Sequence, residues 1–221
     1  MAILKELHWE CIPQPVHDLM AEVGHHPFAQ RFYLAGGTAL ALQLGHRISV
    51  DLDFFSATDE LPNESRREIV EALRSKCPVE VLESTIGNLL LRIRETRIGF
   101  FSYGYALLEP TFSVLGVEVA SLLDIGMMKL DALISRGARK DFYDLYFIAQ
   151  HIPIEEMLRR GPEKYPYAKD YAMMALISMT DFTNADRQAP VETFPSVLWG
   201  EIKTFFISEA QRLGREWFGL R

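Results

Sequence analysis

Phe32-Tyr-Leu-Ala35 runs directly into Gly36-Gly37, and Thr38–Leu44 (TALALQL) that follows is rich in strong helix formers. An apolar run that stops at two glycines and restarts as a helix closed by Gly45 predicts a short buried strand, a tight turn and a helix. Twelve residues separate Thr38 from Asp51. There Val50–Phe55 (VDLDFF) sets Asp51 and Asp53 against Leu52 and Phe54, the alternation of a strand with one polar face. Strand, glycine turn, helix and strand within 25 residues place this part of the chain in a mixed α/β class.

The flanking segments agree. Val16, Leu19, Met20 and Val23 have helical spacing, and Pro62-Asn63 opens a helix to about Lys76 with Ile69, Val70 and Leu73 facing inward. Val79–Glu83, Asn88–Arg94 and Ile98–Leu107 predict three more strands, antiparallel because Gly87 and Glu95-Thr96 join them so briefly. From Ser121 the pattern changes to helices alone: Ser121–Ser135, Lys140–Gln150, Ile154–Tyr165, Tyr171–Met179 and Ser196–Phe218, with a polar loop over Thr183–Pro195. The predicted organisation is an α/β core over 1–120 and a helical region over 121–221.

With 23 basic and 30 acidic side chains the net charge is −7, which argues against a protein that coats duplex nucleic acid through its general field. A local basic patch that grips one RNA end stays compatible with it. Cys11 and Cys77 stand far apart with no CxxC, which argues against a disulfide scaffold and a structural zinc site. The opening MAILKELHWECIPQP has no secretory pattern, and the longest uncharged stretch, Phe32–His46, is too short to span a bilayer. A cytoplasmic protein without a membrane partner is expected.

The residues around the glycine turn suit an anion. Glycines let a phosphate approach the main chain, and the helix N-terminus behind them adds partial positive charge. Thr38 is placed to cap that helix or to bind a phosphate oxygen. Asp51 and Asp53, two residues apart on a strand, point to one face about 7 Å from each other. Paired carboxylates repel unless a cation neutralises them, and Asp is depleted in strands. A Mg²⁺ ion, which takes hard oxygen ligands and keeps waters, supplies the reason for both.

Two blocks carry a resemblance. Gly36-Gly37-Thr38 followed by Arg47-x-Ser49-x-Asp51-x-Asp53 resembles the first motif of the AbiEii/AbiGii toxin family of nucleotidyltransferases, within the DNA polymerase β-like superfamily. Met128-Lys129 through Arg136 to Asp141-Phe-Tyr-Asp144 is similar to the family's later motifs, a lysine on one helix and an aspartate pair on the next. The resemblance implies a polymerase β-like core followed by helices. It implies nucleotide binding by Gly36, Gly37, Thr38, Arg47, Ser49 and Lys129, and metal binding, Mg²⁺ or Mn²⁺, by Asp51 and Asp53. Asp51, Asp53 and Lys129 become the catalytic candidates. It further implies an NTP substrate, an RNA acceptor such as a tRNA 3′ end, and a cognate antitoxin as partner.

Lys129 and Arg136 lie seven apart, and Asp141 and Asp144 three apart, so each pair shares a helix face. The acids either reach the site or hold Lys129 or Arg136 by salt bridges; the second is expected, since they lie off the metal-carrying strand. Phe142, Tyr143, Leu145, Tyr146, Phe147 and Ile148 read as core rather than as a base-stacking box. Polymerase β-like enzymes commonly use a third carboxylate on a neighbouring strand, yet Arg97–Ser102 carries no acid. Glu83, Glu95 and Glu118 would serve only if the topology brought one alongside. A rival reading is therefore a nucleotide- or partner-binding module of the same fold with impaired catalysis. A Glu near Asp51 and Asp53 would favour the enzyme, and Phe100 or Phe101 filling that place the module.

Overall fold

A computed structural model describes residues 6–219 of the chain. After a 3₁₀ turn at Trp9–Cys11 come α1 (Gln14–Gly24), β1 (Tyr33–Ala35), α2 (Gly36–Leu44), β2 (Leu52–Ser56) and α3 (Asn63–Arg74). They are followed by β3 (Glu80–Thr85), β4 (Asn88–Ile93), β5 (Thr96–Ser102), β6 (Phe112–Val114) and β7 (Val117–Val119). The strands form one mixed sheet in the order β3-β4-β5-β2-β1-β7-β6. The pairs β2–β5 and β1–β7 run parallel, and the other neighbours antiparallel.

One face of this sheet is dry. Leu34, Leu52, Phe54, Leu89, Leu91, Ile98, Phe100 and Val119 are buried, and their side chains alternate with those of the other face. Phe100 anchors this core: its ring lies 5.3 Å from Phe54, 5.3 Å from Phe32 and 5.8 Å from Phe28. Stacked and edge-on aromatic pairs at this spacing add to the area they bury. The opposite face carries Asp53 and Phe55, which are only partly buried.

The chain divides into two compact units, Met1–Ser121 and Leu122–Arg221. The second is helical: α4 (Leu122–Ser135), α5 (Arg139–Ala149), α6 (Ile154–Arg159), α7 (Gly161–Lys164), α8 (Tyr171–Ser178) and α9 (Trp199–Phe218). Phe142 is buried at its centre, its ring 5.1–5.6 Å from Phe182, Trp199 and Phe206. No helix among the described residues is long and apolar enough to cross a membrane.

The mixed α/β half and the helical half are those the pattern predicts; the differences lie at edges and in short elements. The strand expected over Val50–Phe55 begins at Leu52, so Asp51 precedes it. The strand expected over Ile98–Leu107 ends at Ser102, before Gly104 with its positive φ of 71°. The helix expected over Ile154–Tyr165 breaks at Arg160, because Pro162 cannot continue the hydrogen-bond ladder and instead sits in the first turn of α7. The hairpin β6–β7 has no counterpart in the sequence pattern. Its strands are three residues each, and Leu115 and Gly116 turn between them at φ 53° and 78°.

Candidate active site

The passage from β1 into α2 happens within one residue. Gly36 takes φ 65°, a left-handed conformation that only glycine adopts without strain. A Cβ on Gly36 would lie 2.8 Å from Asp53 Oδ2, and one on Gly37 would collide with Arg47 Nη2 and sit 3.2 Å from Ser49 Oγ. The bare backbone at these two positions is what lets the first turn of α2 lie against those side chains. The N-cap of that turn is Ala35, whose side chain offers no hydrogen-bond acceptor, and a helix N-terminus carries N–H groups with no intrahelical partner.

Of the two roles expected of Thr38, capping falls away, since the N-cap is Ala35. Thr38 is 1% exposed, and its hydroxyl hydrogen-bonds Ser49 Oγ at 2.9 Å and donates to the Asp51 carbonyl. It therefore ties the helix start to the segment that delivers the aspartates. That segment, His46–Asp51, is irregular but alternates like a strand. Arg47 and Ser49 are buried, while Ile48 and Val50 are 45% and 54% exposed. Ser49 N–H donates to the Cys11 carbonyl at 3.0 Å, and Arg47 Nη1 to the Ile48 carbonyl at 3.1 Å. Arg47, Ser49, Asp51 and Asp53 thus follow one another at intervals of two, beside Gly36, Gly37 and Thr38.

The place beside Asp53 on the parallel neighbour β5 belongs to Gly99. The Phe101 ring lies over it, in the space a Cβ would take. Glu118 is on the same sheet face but on β7, opposite Tyr33, and Thr111 Oγ1 donates to it. Glu83 is on β3, with β4 and β5 between it and β2, and accepts from Asn88 and Thr85. Glu95 lies in the turn between β4 and β5. Among the described residues no group of three or more His, Cys, Asp and Glu is gathered to hold a metal ion. The carboxylates of this site are the two on the Asp51–Asp53 segment.

In the helical unit Lys129 (α4) is 5% exposed, with Nζ 2.9 Å from Asp141 Oδ1 and 2.6 Å from Asp144 Oδ2 (both on α5). Arg136 grips Asp141 with both arms, Nε at 2.8 Å and Nη2 at 2.9 Å. Burial pushes the Asp141 carboxyl up, but Lys129 and Arg136 together outweigh it and hold it below the usual carboxylate range. The pattern in the sequence did not disclose a second buried pair in this unit: Lys164 Nζ lies 2.7 Å from Asp124 Oδ1, both side chains fully buried. Forty residues separate the two, and no periodicity links them.

The seven-stranded mixed sheet followed by helices is the fold of known nucleotidyltransferases. The nucleotidyltransferase toxin MenT4 of Mycobacterium tuberculosis H37Rv has this fold as well. It superposes with a TM-score of 0.54 at 17% identity, over 88% of this chain and 82% of that one. A putative nucleotidyltransferase from Helicobacter pylori aligns with a TM-score of 0.48 at 15% identity, over 92% of this chain and 94% of its own. In sequence, an uncharacterized protein of Aquifex aeolicus (strain VF5) is 34% identical over 182 residues, 79% of this chain and 84% of its own. The family of the nucleotidyl transferase AbiEii toxin, of type IV toxin–antitoxin systems, matches residues 18–105 and 94–212. The chain belongs to this family, and its enzyme class is nucleotidyltransferase.

Proposed function

We propose that the protein transfers a nucleoside monophosphate from an NTP to a hydroxyl of RNA, with a tRNA 3′ end as the leading acceptor. The observation that carries the reading is the approach of the Gly36-Gly37 backbone to Asp53, Arg47 and Ser49. It puts a helix N-terminus, a cation and a carboxylate within one small region. The N–H groups of the first α2 turn would donate to the triphosphate oxygens, with Arg47 adding charge beside them. Thr38 and Ser49 would hold the two sides of this cradle together.

Asp51 and Asp53 would hold a divalent ion, Mg²⁺ or Mn²⁺. Two hard oxygen donors, with the remaining places left to waters and substrate phosphates, suit such an ion. When bound, it neutralises charge on the phosphates and on the departing pyrophosphate. In the reaction the acceptor oxygen bonds to the α-phosphorus, the bond to the β-phosphate oxygen breaks, pyrophosphate leaves and the hydroxyl proton passes to solvent. In the helical unit, Asp141 and Asp144 would fix the position of the Lys129 ammonium, with Arg136 bracing Asp141. As a toxin of this family the protein would act in the cytoplasm, where NTPs and tRNA are, and a cognate antitoxin would restrain it.

Label transfer from each of four α-³²P NTPs to total RNA, with Mg²⁺ and with EDTA, tests the proposal. Expected is one labelled RNA class that disappears with EDTA and with Asp53→Ala. A second reading, a binding module with impaired catalysis, draws on one observation: Phe101 covers Gly99 where a third carboxylate would stand. Metal-dependent NTP binding without transfer to RNA would favour it.

A further inference from the structure

The alternation that delivers Asp51 and Asp53 continues to Phe55, on the same side of β2. Around Phe55 lies an aromatic shelf. Phe55 is paired with Tyr33 on β1 and with Phe101 on β5, their ring centres 6.2 Å and 5.1 Å from its own. Tyr103 meets Phe55 edge-on at 5.7 Å, and Tyr105 meets Tyr103 at 5.2 Å. Tyr33 is buried beneath, while Phe55, Phe101, Tyr103 and Tyr105 are partly exposed. Four partly exposed rings, Phe55 and Phe101 on the polar face of the sheet and Tyr103 and Tyr105 in the segment that leaves β5, are not needed for the core, which is on the other face around Phe100.

The register fixes where this shelf stands. β1 and β2 run antiparallel with Ala35 opposite Asp53 and Tyr33 opposite Phe55. Gly36 and Gly37 continue beyond Ala35, so the glycine cradle lies at one end of Asp53 and the shelf begins at the other, about 7 Å along the strand. In phosphoryl transfer the attacking and leaving oxygens are roughly in line through phosphorus. With the leaving pyrophosphate at the cradle, the attacking hydroxyl must come from the opposite side, which is the side of Phe55. The ribose of the NTP leaves the α-phosphorus across that line rather than along it.

We propose that the shelf of Phe55, Phe101 and Tyr103 stacks the terminal base of a single-stranded nucleic-acid acceptor and so presents its hydroxyl in line with the cradle. This rests on the function proposed above and narrows its acceptor to an unpaired strand end. Base–aromatic stacking tolerates any sequence, so the shelf selects an exposed end rather than a particular base.

The test uses the full-length protein and two fluorescent probes: a short single-stranded RNA with 2-aminopurine as its 3′ base, and 2-aminopurine riboside triphosphate with Mg²⁺. Expected is quenching of the RNA probe, with Kd raised about 10-fold in both Phe55→Leu and Tyr103→Leu. The triphosphate probe should bind these variants as it binds the parent. In the transfer assay the same variants should raise KM for RNA and leave KM for NTP in place. Circular dichroism and melting of each variant check folding, and two separate positions guard against the loss of one. Triphosphate quenching that both variants abolish would assign the shelf to the incoming nucleotide and overturn the proposal. RNA affinity unchanged in both folded variants, or no RNA quenching at all, would also overturn it, the second leaving the face to a protein partner. Because the probes report binding without turnover, a protein that stacks RNA but transfers nothing would refute the proposed reaction and not the shelf.

Discussion

Gly36 concentrates several demands in one residue. Its φ of 65° is strained for any side chain by roughly 1–2 kcal/mol, and its Cβ would meet Asp53 Oδ2 at 2.8 Å. Gly87 has a similar φ of 79°, but its Cβ would find only Ser102 Cβ, at 3.7 Å. Gly36→Ala should therefore lose at least as much stability as Gly87→Ala, and the two should differ in chemistry. Gly36→Ala is expected to lower nucleotidyl transfer at least ~10-fold, because a carboxylate displaced by about an ångström loses its positioning. Gly87→Ala is expected to stay within about twofold of the parent. Melting temperatures and initial rates of both variants, measured side by side, check this; equal activity losses would refute it. Gly36, Asp51 and Asp53 were legible because a strand, a glycine turn and alternating acids form a local pattern. The involvement of Thr38 with Ser49 was not, because that hydrogen bond joins residues eleven apart across an irregular segment.

Among the elements, those with a period were readable and those held by a distant partner were not. The helices α1, α3, α4, α5 and α9 announce themselves through apolar spacing, and β3–β5 through short antiparallel connections. The strands β6 and β7 are too short to show alternation. The short α7 has no periodic signal either, and its Lys164 finds Asp124 on α4. Removing one partner of a buried ion pair strands the other, at about 3–5 kcal/mol, whereas replacing both with apolar groups is far milder. Lys164→Met and Asp124→Leu should each destabilise the helical unit by that amount, and the double exchange should cost less than either alone. Urea unfolding of the four proteins reads the coupling directly. Additive losses would show that the two charges do not depend on each other.

At the scale of the whole molecule, the site and the buried ion pairs make separable contributions. The glycine cradle and both aspartates belong to Met1–Ser121, while Lys129, Asp141, Asp144, Asp124 and Lys164 belong to Leu122–Arg221. A ligand that binds only the folded state adds about 2.7 kcal/mol at 100 times its Kd. For a chain of this length each kcal/mol moves Tm by about 2–4 °C. An NTP with Mg²⁺ at that excess should accordingly raise the Tm of the transition it binds by roughly 5–10 °C, with the matching NTP the one that labels RNA. EDTA and Asp53→Ala should each remove most of the rise. Lys164→Met with Asp124→Leu should move the starting Tm and leave the rise in place, since neither residue faces the nucleotide in this reading. If Asp53→Ala kept the full rise, the nucleotide would bind without the aspartate pair, and the proposed site would be wrong even with the fold and family unchanged.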